Sequence, residues 1–196
     1  MPLHLKRPIF LCLLLSLFLS GCSSVSHKAN PEPQSAQQLQ NWQIKGKLAV
    51  ATPNDNATGY LTWKQEQQHF DLFISGPFGA KASRLSGDEQ SASLLLAGWE
   101  QPRLAFSAEA LMQEYLGWAI PLKALTFWVK GLPADSTIQA QTVNDQHQFT
   151  YLKQYDWDIR YSRYQQVDGY WLPHLIKISG QNYRFTLAIQ EWITHD

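Results

Sequence analysis

Cysteine is scarce in this chain of 196 residues, which holds two of them, at positions 12 and 22. A small scaffold stabilised by disulfides is therefore excluded, because such scaffolds are dense in cysteine. The chain also has no excess of positive or negative charge, since 16 Lys and Arg residues balance 16 Asp and Glu residues. Without a basic stripe, the chain lacks the electrostatic signature of a nucleic-acid binder. The composition is that of one globular domain.

Motifs for catalysis and for cofactor binding are absent from the sequence. There is no G-x-S-x-G nucleophile turn, no phosphate-binding glycine loop and no G-x-G-x-x-G dinucleotide motif. The six histidines are scattered without H-x-x-x-H spacing, and this pattern does not predict a metal site. We therefore predict a protein that is not an enzyme and that carries no cofactor and no metal.

The first 21 residues have the order of an export signal. Two basic residues at positions 6 and 7 precede an apolar run over 9–19, and small residues follow it. The run is too short to cross a bilayer, which takes about 20 residues in a helix. The segment Leu19-Ser20-Gly21-Cys22 resembles the bacterial lipobox, in which the cysteine is acylated after cleavage. We therefore predict that Cys22 is a lipid anchor; the alternative is an ordinary signal that happens to end near a cysteine.

The residues after Cys22 indicate which membrane holds the lipid anchor. In bacterial lipoproteins, which this segment resembles, an Asp directly after the cysteine favours the inner membrane, whereas Ser23 and Ser24 stand here. We expect the outer membrane, with the protein facing the periplasm. The three acyl chains that this resemblance implies would make the attachment permanent, because a single chain binds only marginally.

Composition divides the chain into a signal peptide over 1–21, a lipidated flexible tether over 22–36 and a binding domain over 37–196. The tether is rich in Ser, Asn, Pro and Gln, so it has too little apolar surface to offset the entropy of ordering. In the domain, apolar and polar residues alternate with a period of two up to position 106 and again after position 146. Such alternation predicts half-buried antiparallel strands.

Between these two regions the apolar period becomes helical. Ser107 is placed to cap a first helix, whose apolar stripe includes Leu116. A second helix is predicted to carry Pro121 in its first turn and to end before Gly131. Strands, two helices and strands again, without alternating βαβ units, predict a mainly β fold in which a curved antiparallel sheet carries helices on one side. The interior of such a barrel is either filled by side chains or left as a cavity for a hydrophobic ligand.

Eight tryptophans are many for a chain of this length. For Trp42 and Trp192, near the ends of the domain, core packing is the expected role. Trp63, Trp128 and Trp157 suit the wall of a lipid cavity as well as they suit a core.

The turn Gly76-Pro77-Phe78-Gly79 places an aromatic residue where polar residues are expected. An exposed Phe forgoes roughly 1.5–3 kcal/mol of burial, although single apolar residues on a surface are common and the turn could fold inward. In a protein tethered beside a membrane, Phe78 can enter the bilayer. We predict that Pro77, Phe78 and Gly79 form a membrane-insertion loop.

Nearly the whole chain resembles the LolB family, the outer-membrane receptors of the lipoprotein-sorting pathway. The most specific matches are the turn over 76–79, the segments 116–117 and 120–122, the run Trp128-Val129-Lys130-Gly131-Leu132-Pro133, and Trp157 and Trp192. The resemblance implies an incomplete antiparallel β-barrel with an α-helical lid that encloses a hydrophobic cavity, a fold shared with the soluble carrier LolA. Phe78 and Gly76 stand where the family commonly has Leu and Asn.

The resemblance also implies partners and a function. The expected protein is a monomer that accepts acylated lipoproteins from LolA and inserts them into the inner leaflet of the outer membrane without nucleotide hydrolysis. The expected lining of the acyl-chain cavity is Trp63, Phe70, Leu72, Leu116, Leu125, Trp128, Trp157, Ile159 and Phe185. The alternative function is an envelope adaptor lipoprotein that binds a lipid or a glycan and accepts no acylated protein.

Overall fold

The computed structural model describes residues 34–79 and 82–195, apart from the side chain of Phe78. The predicted signal, the lipidation site at Cys22 and most of the predicted tether lie outside the described residues. Eleven strands form one antiparallel sheet: β1 (Asn41–Ala51), β2 (Asn56–Glu66), β3 (His69–Ser75), β4 (Ser83–Gly87), β5 (Ala92–Leu95), β6 (Arg103–Ala105), β7 (Ala140–Val143), β8 (Phe149–Gln154), β9 (Trp157–Val167), β10 (Tyr170–Gly180) and β11 (Tyr183–Thr194).

The sheet joins two meanders through the first and last strands of the domain. Its order is β6-β5-β4-β3-β2-β1-β11-β10-β9-β8-β7, so β1 pairs with β11 and the strands β6 and β7 form the two edges. The chain that connects these two edges carries both helices. The predicted open, curled antiparallel sheet with helices is confirmed, and β7, an exposed edge strand, was not among the predicted elements.

A bulge at the β1–β11 pairing interrupts the alternation of β11. Lys45 pairs with Glu191 and Gly46 pairs with Ile189, which leaves Gln190 as the extra residue. A Cβ atom on Gly46 would lie 2.4 Å from the backbone oxygen of Ala188. Glycine is therefore required where the two backbones approach each other.

The two helices begin in different ways. In α1 (Ala108–Leu116) the Oγ of Ser107 accepts a hydrogen bond from the amide of Ala110, as predicted for a capping serine. In α2 (Leu122–Trp128) Pro121 is the N-cap rather than a residue of the first turn, and its side chain offers no cap. The Oε1 of Glu109 in α1 accepts from the amide of Leu122 at 2.8 Å instead, so α1 supplies the cap of α2.

Tryptophans form part of the core between the sheet and the helices. The ring of Trp42 lies 4.9 Å from the ring of Trp63 and 5.6 Å from that of Trp192, measured between centroids. All three side chains are buried, which confirms core packing for Trp42 and Trp192. Within residues 34–79 and 82–195, no helix has the length and apolar character needed to span a bilayer.

Candidate functional site

An open cavity of about 880 Å³ lies where the chain before β1, the β2–β3 turn, the β4–β5 turn and both helices meet. Its volume is in the range that holds small organic ligands, roughly 300–1,000 Å³. The cavity is therefore large enough to be a binding site. Six apolar side chains contribute to its wall: Leu39, Trp42, Phe70, Ala108, Leu122 and Phe127.

Glutamines line the same cavity from the strand side. Gln65 is buried, accepts a hydrogen bond from the indole N–H of Trp63 and donates to the backbone oxygen of Gln67. Four further glutamines line the cavity: Gln37, Gln40, Gln67 and Gln68. Amide side chains both donate and accept hydrogen bonds, so this wall can bind neutral polar groups beside an apolar chain.

The rim of the cavity carries charges of both signs. Lys123 forms an ion pair with Glu89, with 2.7 Å between Nζ and Oε1, and this contact raises the pKa of the lysine. The amides of Gln90 and Ser91 donate to the carboxylate of Asp88 and lower its pKa. The carboxylate of Asp88 is therefore held in the ionised form at neutral pH.

Lys130 follows α2 and lines the cavity. It is 7% exposed, and its Nζ donates to the backbone oxygen of Leu39 at 2.9 Å. The Nζ also lies 5.4 Å from the centroid of the Phe127 ring. Burial lowers the pKa of Lys130 to about 8, because desolvation disfavours the charged form.

The structure brings only one of the nine predicted lining residues to this cavity, namely Phe70. Trp63, Trp128, Trp157, Ile159 and Phe185 lie with Phe70 in the buried core between sheet and helices. Leu72 and Leu125 are partly buried against that core, whereas Leu116 at the end of α1 is 36% exposed. The role of these nine residues in binding acyl chains stays a prediction.

The predicted membrane-insertion loop joins β3 to β4. Pro77–Gly79 forms a single 3-10 turn in which the amide of Gly79 donates to the backbone oxygen of Gly76 at 3.1 Å. Pro77 and Gly79 are exposed, and Gly79 has a φ of 77°, a conformation that favours glycine. The side chain of Phe78, on which the prediction depends, lies outside the described part of the chain.

Sequence reasoning missed the polar wall and the buried lysine. The signal for the wall was the cluster of glutamines at 65, 67 and 68 around the β2–β3 turn. Lys130 carried no comparable signal, because a lysine at the end of a helix is most often solvated. Among the described residues, no group of three His, Cys, Asp or Glu side chains could hold a metal ion.

The protein is a curled antiparallel sheet that is open at both edges and covered by two helices beside a cavity. Proteins with this fold form a class for which solved structures exist. The fold is similar to that of a LolA superfamily protein from Nitrosomonas europaea, with a TM-score of 0.51 and 10% sequence identity. The similarity covers 81% of this chain and 88% of that chain. At 10% sequence identity this similarity shows a shared fold alone.

The sequence assigns the family within this class. The family model described as outer membrane lipoprotein LolB matches residues 40–192. The outer-membrane lipoprotein LolB of Pseudomonas aeruginosa is 38% identical over 96% of this chain and 97% of its own length. The LolB of Pseudomonas fluorescens is 37% identical over 89% and 90%, respectively. The chain belongs to the LolB family of outer-membrane lipoproteins.

Proposed function

We propose that this protein is an outer-membrane receptor that accepts acylated lipoproteins from a LolA-type carrier and releases them into the inner leaflet. The observation that carries the proposal is the open cavity with its apolar wall beneath the two helices of a LolB-family fold. The apolar chains of the cargo would lie against Phe127, which is partly exposed, and Phe70, which is 7% exposed, away from water.

Each step of transfer through this receptor would lower the free energy of the cargo. The sequence has no phosphate-binding loop, so the order of affinities has to drive the cargo: the receptor must bind acyl chains more tightly than the carrier does, and the bilayer more tightly still. The proposal needs no catalytic residue.

Acceptance and delivery would take place at opposite ends of β3. The cavity lies at the β2–β3 turn, where Gln67 and Gln68 line it, while the turn Pro77–Gly79 follows the other end of that strand. Seven residues of strand span about 23 Å. We propose that the acyl chains move along this length past Leu72, and that Phe78 then inserts into the leaflet.

The deeper predicted residues would take part only when the helices move. Trp128, Trp157 and Ile159 are at most 1% exposed, so an acyl chain reaches them only if α1 and α2 separate from the sheet. Such a movement would extend the cavity into the core while cargo is bound and close it again after release.

The proposal is tested by following acceptance and delivery separately. Phe78→Glu is expected to accept carrier-bound lipoprotein at the normal rate and to release it slowly into liposomes, because a carboxylate is costly to insert in a bilayer. Phe73→Glu is the matched control, since Phe73 is 42% exposed in the middle of β3. Normal delivery by a fully expressed Phe78→Glu protein would contradict the role of the loop.

The role of the anchor can be separated from that of the cavity. A chain with an ordinary cleavable signal and Cys22→Ala is expected to take acylated cargo from the carrier, because the cavity lies within residues 37–130. Failure to accept cargo would place the anchor in the acceptance step.

A second candidate function is an envelope adaptor that binds a lipid or a glycan. The glutamines that line the cavity together with the partly exposed ring of Phe127 favour it, because amide and aromatic side chains together suit a sugar. In the same transfer assay an adaptor would leave the lipoprotein on the carrier, whereas the receptor would remove it.

A further inference from the structure

Lys130 is a buried cation whose hydrogen-bonding capacity is only partly used. Its ammonium group has three N–H donors, and among the described residues the one acceptor within hydrogen-bond distance is the backbone oxygen of Leu39. Lys123, which also lines the cavity, differs in this respect, because it is paired with Glu89. Burying a charge lowers the stability of the folded protein unless further partners complete the hydrogen bonds of the charged group.

The ammonium group of Lys130 lies among residues that line the cavity. It contacts the backbone of Leu39 on one side and lies 5.4 Å from the Phe127 centroid on the other. The ring face attracts a cation but accepts no conventional hydrogen bond. A ligand in the cavity can therefore offer the missing acceptor to Lys130.

The charges around the cavity restrict the kind of acceptor. Three lining residues are acidic, namely Asp88, Glu89 and Glu109, and two are basic, Lys123 and Lys130, so the formal charge of the lining is −1. An anionic headgroup would gain less from Lys130 than the lysine alone offers, because the carboxylates of Asp88 and Glu109 lie in the same lining. A neutral carbonyl oxygen next to an apolar chain satisfies both the lysine and the apolar wall.

We propose that Lys130 donates a hydrogen bond to an ester carbonyl of the diacylglyceryl group on the cargo cysteine, and that the acidic rim discriminates against anionic phospholipid. This inference rests on the proposed function, since it specifies the polar end of the same lipid ligand.

The test uses the full lipidated chain in a mild non-ionic detergent. The probe is a fluorescent peptide that begins with N-palmitoyl-S-dipalmitoylglyceryl cysteine, compared with an analogue whose two glyceryl ester bonds are ethers. Partition of each peptide into micelles is measured without protein and is divided out of its apparent Kd, because the ester and the ether partition differently. The wild-type chain is expected to bind the ester at least tenfold more tightly than the ether.

The variants assign this preference to the amine. Lys130→Met keeps a side chain of similar length and removes the donors, so it is expected to weaken ester binding about tenfold and to leave ether binding unchanged. Lys130→Arg restores donors and is expected to retain a preference for the ester. Lys177→Met is the control, because Lys177 is exposed on β10 outside the cavity lining.

The outcomes distinguish a failure of the Lys130 inference from a failure of the proposed function on which it rests. Equal binding of ester and ether by the wild-type chain overturns the role of Lys130, and this comparison holds even if Lys130→Met does not fold. A wild-type chain that binds neither peptide overturns the proposed function itself. In a competition arm, neutral dipalmitoylglycerol is expected to displace the ester at a tenfold lower concentration than dipalmitoyl phosphatidylglycerol; equal displacement overturns the discrimination by the rim.

Discussion

The indole N–H of Trp128 donates to the side-chain oxygen of Gln154 at 3.0 Å, and both side chains are fully buried. The same oxygen accepts from the amide of Ala134 at 2.9 Å. The side-chain nitrogen of Gln154 donates to the backbone oxygens of Ala134 and Ser136. One glutamine at the end of β8 therefore holds the end of α2 and the chain that follows it.

Gln154→Leu is expected to destabilise the protein by about 3 kcal/mol or more, because it leaves the indole N–H of Trp128 and the backbone N–H of Ala134 without an acceptor in the interior. Urea unfolding followed by tryptophan fluorescence measures the change. Gln166→Leu, at an exposed position of β9, is the control and is expected to change stability by less than about 0.5 kcal/mol. Equal effects of the two substitutions would contradict this role of Gln154.

Lys130 makes stability depend on pH in alkaline solution. Its pKa falls from the ordinary 10.5 to about 8 on burial, so between these values the unfolded chain binds more protons than the folded one. Stability therefore rises with pH across this window. The free energy of unfolding is expected to gain about 2 kcal/mol from this group between pH 7 and pH 9.5.

Lys130→Met isolates that contribution. Burial raises the pKa of Tyr161 and Tyr164, which lowers stability as unfolded tyrosines ionise near pH 10, but this loss is common to both proteins. The difference in unfolding free energy between wild type and Lys130→Met should therefore shift in favour of wild type as the pH rises. A constant difference from pH 7 to pH 9.5 would contradict the buried ammonium.

Tyr161 and Tyr164 differ in the bonding of their hydroxyl groups. The hydroxyl of Tyr161 is buried and has no hydrogen-bond partner among the described residues, whereas that of Tyr164 donates to the backbone oxygen of Phe149 at 2.9 Å. Tyr161→Phe is expected to leave stability unchanged or to raise it by up to about 1 kcal/mol, since it removes an unpaired polar group.

The matched substitution Tyr164→Phe is expected to cost about 1 kcal/mol, because it leaves the oxygen of Phe149 without its donor. Thermal unfolding of the two variants provides the comparison. A larger loss for Tyr161→Phe than for Tyr164→Phe would indicate that the hydroxyl of Tyr161 has a partner.

Two glycines after the helices have the same backbone conformation in different surroundings. Gly117 and Gly131 both have a φ of 76°. A Cβ atom on Gly131 would lie 2.6 Å from the hydroxyl of Tyr164, whereas one on Gly117 would meet nothing within 4 Å. Gly117→Ala is therefore expected to cost about 1–2 kcal/mol, the strain of a left-handed residue.

Gly131→Ala carries the same strain and adds a steric conflict with Tyr164. Overpacking of this kind costs about 1–3 kcal/mol more, which denaturant titration can resolve. If both substitutions cost the same, Tyr164 moves aside freely and does not fix the segment after α2.

The pattern of the sequence predicted the strands and helices because alternation and capping are local properties. Ser107 at the start of α1 and the alternating faces of β1 and β11 illustrate this success. The bulge at Gln190 had a visible signal, since two polar residues separate Ile189 from Trp192. It could not be placed without knowing that β11 pairs with β1, which lies at the other end of the chain.

The position of the cavity could not be predicted for a related reason. Alternation identifies the face of a strand that is buried, but it does not tell which end of the strand lies beside a cavity. Phe70 and Ile159 have the same apolar character in the sequence, yet Phe70 lines the cavity and Ile159 lies in the packed core. Only the placement of α1 and α2 over the sheet distinguishes them.

The last strand of the chain lies in the middle of the sheet. Because β11 separates β1 from β10, a polypeptide that stops before residue 183 lacks the element that unites the two meanders, and each of them is left with an exposed edge. Synthesis must therefore extend through β11 before the eleven-stranded sheet can assemble. A truncated product keeps both meanders in one polypeptide but leaves the edges of β1 and β10 that would pair with β11 without a partner strand.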